Sequence, residues 1–104
     1  MPISQLSVEV RDNVVRLTGG LDIATVDAFE ERFEDVAEAG GDVTLDLSEL
    51  TFLDSSGIGS FVRLGRLLDG RRLIVRGAAG HVRATLVIAG IEGHAGIEFE
   101  PPPA

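Results

Sequence analysis

The amino-acid sequence predicts a single α/β domain: a mixed, mainly parallel β-sheet with an N-terminal antiparallel hairpin and about three helices, in the order ββαβαβαβ. Three observations lead there. Two short alternating segments flank Asp12-Asn13, a natural hairpin turn. Apolar stripes of helical period then alternate with short apolar runs, the pattern of parallel strands joined through helices. A chain of 104 residues and 11.0 kDa has room for one compact domain rather than two. The domain is expected to cover residues 1–100, with 101–104 as a proline-rich tail.

Leu6, Val8 and Val10 alternate with Ser7, Glu9 and Arg11, which suits a half-buried strand. Val14 to Thr18 is its hairpin partner, and Gly19-Gly20 is expected to end it. Thr25 is the natural N-cap of the first helix, with Asp27 complementing the dipole of its first turn. Val26, Phe29, Phe33, Val36 and Ala37 share one face of that helix, acidic residues occupy the rest, and Gly40-Gly41 stops it.

Asp42 to Leu47 reads as a third strand and Arg72 to Arg76 as a fourth. Between them, Ile58, Phe61, Val62, Gly65 and Leu68 mark the inner face of a second helix, with Arg63 and Arg66 outside. A shorter helix fits His81 to Ala89, with Val82, Leu86 and Ala89 inward and Gly90 after it. Gly96 to Phe99 is a weak last strand, which Pro101-Pro102-Pro103 cannot continue.

Composition narrows the function. With no Cys there is no disulfide scaffold, thiolate metal site or cysteine nucleophile, and two His thirteen positions apart argue against zinc. A net charge of −8 repels phosphate backbones and anionic headgroups, so neither nucleic acid nor a membrane surface is an expected partner. No apolar stretch is long enough to span a bilayer and no basic segment precedes one near Met1, so cytoplasmic residence is expected. All basic residues are Arg; without Lys a P-loop is excluded, and no cofactor or metal is expected. The charge is also uneven. Asp22 to Asp54 holds eleven acidic residues against Arg32, whereas Ser55 to Arg83 holds six Arg against Asp69.

The unusual segment is Thr51-Phe52-Leu53-Asp54-Ser55-Ser56-Gly57-Ile58-Gly59, where a strand turns into the second helix. Open α/β sheets place their sites at such carboxyl ends. Asp54 or Ser55 can cap the helix. Gly57 and Gly59 each cost roughly 1 kcal/mol inside a helix, so something approaches the backbone there, either another element of the fold or a partner. The serines lack the flanking glycines of a nucleophile elbow, and His81 and His94 are the only possible bases for a triad. Gly57-Ile58-Gly59 begins a dinucleotide-type loop, but Val62 stands at its third glycine. Asp22, Asp46 and Asp54 have no spacing that demands a cation. A serine at a helix N-terminus does suit one other role, because the first-turn amides and the dipole favour a phosphate there.

Three segments together resemble the STAS family, and within it the bacterial anti-anti-sigma factors, or anti-sigma factor antagonists. They are Val14 to Asp22, Val43 to Gly59 with its Asp54-Ser55-Ser56-Gly57 core, and Val82 to Gly90. The resemblance covers nearly the whole chain and implies a STAS-like fold. It implies a non-enzymatic cytoplasmic regulator that binds an anti-sigma factor with a serine-kinase fold and so frees a sigma factor. Phosphorylation of the first motif serine by that kinase would block binding until a phosphatase acting on phosphoserine removes the group.

Carried over by motif, the acceptor is Ser55, with Asp54 before it, Ser56-Gly57 after it and Leu21-Asp22 close to that loop. Together with the outer face of the second helix, at Ser60 and Arg63, these residues are expected to form one partner surface at the same end of the sheet. Two departures stand out: Gly20 occupies the place where the family usually has Glu, and with only residues 101–104 after the last strand the family's usual last helix is not expected. Two other readings compete. One is a STAS accessory module of a transporter or stress-signalling complex, which neighbouring permease genes would favour. The other is a serine hydrolase, which ester turnover lost in Ser55→Ala would favour.

Overall fold

A computed structural model describes residues 5–101; the expected tail at 102–104 lies outside the described residues, as do 1–4. The elements are β1 (Leu6–Arg11), β2 (Val14–Leu21), α1 (Val26–Glu38), β3 (Val43–Leu53), α2 (Ser55–Leu67), β4 (Leu73–Arg76), α3 (Gly80–Ala89) and β5 (Ile97–Phe99), in the expected order. They build a five-stranded sheet of order β1-β2-β3-β4-β5, in which β1 runs antiparallel to β2 and every later pair is parallel. The hairpin closes over Asp12-Asn13, and Asp12 takes the left-handed φ of 55° that a two-residue turn requires.

Direct cross-strand partners share a face of the sheet, so the register separates core from surface. Val15, Leu45, Val75 and Phe99 form one row across β2 to β5, and the first three are buried. They join a single apolar core with Phe29, Phe33 and Val36 of α1, Phe61 and Leu64 of α2, and Val82 and Leu86 of α3. Phe29 meets Phe33 and Phe61 edge-on, with ring centroids 6.0 and 5.8 Å apart, which locks α1 to α2. One position along each strand, Glu9, Arg16, Asp46 and Arg76 make the opposite row, alternating in charge. Its ion pairs are Arg16–Asp46 at 3.4 Å and Arg76–Glu100 at 2.8 Å.

Arg71 ties the helix ends together. Its guanidinium donates to the carbonyls of Leu68 (2.9 Å), Ala37 (2.8 Å) and Gly41 (3.2 Å), a cation set against two helix C-termini.

Four expectations need correction. Gly19-Gly20 does not end β2, which runs on to Leu21; Gly19 has φ +107°, and a Cβ there would strike the Gln5 carbonyl oxygen. The third strand does not stop at Leu47 but extends to Leu53, its register with β2 shifting between Arg16 and Thr18 and again between Gly19 and Gly20. Ala89, expected inward, is exposed at the end of α3, while Leu64 joins the buried face of α2. Thr25 holds the N-cap position of α1 but makes no side-chain cap, because its hydroxyl is engaged elsewhere.

Candidate functional site

The extensions of β2 and β3 bring two loops side by side. Leu21 and Leu53 are register partners at the strand ends, both buried, and the Asp54 amide donates to the Leu21 carbonyl at 3.4 Å. The residues that follow, Asp22 and Asp54, therefore leave the same edge of the sheet together. Asp54 caps α2 directly, whereas a short turn separates Asp22 from α1.

The first loop is held by Thr25. Its hydroxyl donates to the Gly20 carbonyl at 2.9 Å and accepts from the Asp22 amide at 3.0 Å. The Asp22 carboxylate accepts from the Ala24 amide at 2.9 Å, and the Asp22 carbonyl accepts from Val26 at 2.9 Å. This small network fixes the loop in one geometry and leaves Ile23 at its tip 77% exposed.

The second loop is a helix cap. Asp54 is extended (φ −120°, ψ −171°), and its carboxylate accepts from the Ser56 amide at 2.9 Å and the Gly57 amide at 3.4 Å. Of the two capping choices, Asp54 is the one realised. Ser55 is the first residue of α2 and is exposed, and its hydroxyl makes no hydrogen bond among the described residues. Ser56 is half-buried.

The other residues singled out in the sequence fall into two groups. Asp22, Asp54, Ser55 and Ser56 gather at the paired loops, and Arg63 is exposed two turns along α2. Leu21, Gly57 and Ser60 are buried. For Ser60 this corrects the expectation of an outer-face position. It points at α1, wholly buried, and its hydroxyl has no hydrogen-bond partner of good geometry.

Beside Ser60, the Arg63 guanidinium pairs with the Glu30 carboxylate at 2.5 Å. Burial pushes the Glu30 carboxyl up, but the nearby Ser60 hydroxyl and Arg63 together outweigh it and hold Glu30 below its ordinary value. Arg63 is thus already engaged within the domain.

Other chemistry is not assembled. His81 stacks on Phe52, ring centroids 5.5 Å apart, and neither His81 nor His94 hydrogen-bonds a serine side chain among the described residues. Asp46 is away from Asp22 and Asp54, bound to Ser48 and Arg16; among the described residues no three acidic or imidazole side chains gather to hold a metal ion.

Sequence reasoning missed three features of this edge. Thr25 reads as a cap, although the spacing Asp-x-x-Thr suits the loop clamp it forms. Ile23 and Phe52, the latter 43% exposed, are apolar residues flanking the paired loops. Strict alternation through Phe52-Leu53 would have shown that one of the two must face out.

A family model described as "Mlab, STAS domain" matches residues 4–98. No curated protein matches the chain. Among solved structures, an anti-sigma factor antagonist from Mycobacterium paratuberculosis superposes with a TM-score of 0.79 at 22% identity, covering 96% of this chain and 87% of that one. A described anti-sigma factor antagonist from Thermotoga maritima gives 0.71 at 20% identity, with 92% and 86% covered. The Bacillus cell-fate determinant SpoIIAA in its phosphorylated form gives 0.60 at 21% identity, with 95% and 92% covered. At these identities the likeness is one of fold. On the match to nearly its full length, the chain belongs to the STAS-domain family.

Proposed function

We propose that this STAS domain is an anti-sigma factor antagonist. It binds an anti-sigma factor with a serine-kinase fold through the paired loops at Asp22 and Asp54, releases the sigma factor, and is switched off by phosphorylation of Ser55. A phosphoserine phosphatase restores it. The observation that carries the reading is the Ser55 hydroxyl, exposed and unbonded among the described residues at the first position of α2, directly after the Asp54 cap. A kinase can reach such a group without unfolding anything. The solved structures of like fold support it: one is described as an anti-sigma factor antagonist, and so is SpoIIAA, which was also solved in a phosphorylated form.

The physics of the switch follows from the cap. Asp54 already takes the Ser56 and Gly57 amides, so a phosphate on Ser55 does not find the helix N-terminus vacant. A group carrying about −1.5 to −2 charges must sit beside that carboxylate, facing outward. Inside a dry interface an uncompensated charge costs several kcal/mol, and each 1.4 kcal/mol is tenfold in affinity.

Affinity capture from native lysate with and without ATP tests the reading. A kinase-like anti-sigma factor retained without ATP and released with it is the expected result. Recovery of permease subunits instead, unaffected by ATP, would replace it with the transporter-module reading.

A further inference from the structure

We propose that the cleft where β4 and β5 end is a binding site for a small organic monoanion with an apolar body, its carboxylate head held by Arg83. The cavity is about 510 Å³, within the roughly 300–1,000 Å³ of ordinary small-molecule sites. Val75 and Phe99, register partners on β4 and β5, line it together with Ala78 and Pro101, giving apolar walls. Three charged side chains complete the lining: Arg76, Arg83 and Glu100.

Two of these are already engaged with each other. Arg76 donates to the Glu100 carboxylate at 2.8 Å. Arg83, in the first turns of α3, is exposed, and its guanidinium makes no hydrogen bond or ion pair among the described residues. One unneutralised guanidinium therefore stands over an apolar cleft, in a protein whose net charge is −8. The charge complement is a single anionic head, and a carboxylate matches the planar guanidinium fork. Glu100 on the same rim repels a second negative charge, which selects against polyphosphates. The apolar walls supply the remaining affinity only to a ligand with a hydrocarbon or aryl body.

Octanoate is a suitable probe, read by amide shifts in ¹⁵N–¹H spectra of the full chain, with octanol and acetate as head-only and body-only deletions. Saturable shifts at Val75, Ala78, Arg83 and Phe99 are expected with octanoate. Binding should weaken about tenfold or more for octanol, for acetate and for octanoate with Arg83→Gln, a factor of ten being 1.4 kcal/mol. Arg66→Gln removes another exposed arginine without a partner and should change nothing. The spectra themselves report whether each variant is folded. Absence of saturable shifts at the cleft, octanol binding as tightly as octanoate, or equal loss in Arg66→Gln would each overturn the proposal.

Discussion

A methyl group placed on Gly57 would stand 3.0 Å from Cδ2 of Leu21 and closer still to Cδ1 of Leu53. The glycine is there so that α2 can start directly under the two leucines that end β2 and β3. What approaches its backbone is the fold itself. Gly57→Ala should therefore destabilise: overpacking costs about 1–3 kcal/mol, and the helix-propensity gain of about 1 kcal/mol offsets only part of it. Gly57→Val should be worse. Gly59 makes the control, since the nearest atom to a Cβ there is Arg63 Nη1 at 3.5 Å. Gly59→Ala should raise stability by up to about 1 kcal/mol. Urea midpoints of the two alanine variants, moving in opposite directions, check both.

Removing the Asp54 carboxylate leaves the Ser56 and Gly57 amides without their acceptor. Asp54→Ala should cost about 0.5–2 kcal/mol, whereas Asp54→Asn, still a good cap, should lose little. Denaturant titration at neutral pH separates the two. If partner binding falls in Asp54→Asn while stability holds, the carboxylate also serves recognition.

Acid should unfold the domain partly through its paired carboxylates. Burial raises the Asp46 carboxyl, but the Ser48 hydroxyl and amide and the Arg16 guanidinium outweigh it, so Asp46 lies below its ordinary 3.8. Asp42 is lowered too, chiefly by the Arg72 amide and guanidinium, and Glu30 lies below its ordinary 4.5. A lowered carboxylate stabilises the fold above its unfolded pKa, and that contribution is lost as pH falls through the folded value. Stability should decline from about pH 4.5 downward. Asp46→Asn should make that acid limb shallower below pH 3.8, which equilibrium unfolding across pH 2–6 would show.

The strength of local signals explains what could be read from the chain. In α1, Val26, Phe29, Phe33, Val36 and Ala37 are all buried as their spacing requires, because a long helix on an apolar core has one strict period. The second half of β3 was hidden. Ser48 and Glu49 are consecutive exposed polar residues, and two register shifts against β2 break the alternation that marks a strand. Ser60 reads as solvated because its hydroxyl is polar, yet it is buried on the face of α2 toward Glu30 of α1. The paired loops were legible only as a motif: that Asp22 and Asp54 leave the sheet together depends on the Leu21–Leu53 register, which is tertiary.

Phosphosite mapping bears most directly on whether Ser55 is the switch. The domain, incubated with the kinase-fold anti-sigma factor proposed as its partner and ATP, should gain one phosphate that fragmentation places on Ser55. Ser55→Ala should bind the partner and stay unmodified, and Ser55→Asp should remain folded but bind at least about tenfold more weakly. Phosphate found on Ser56, with Ser55→Ala modified as fast as the wild type, would contradict the assignment.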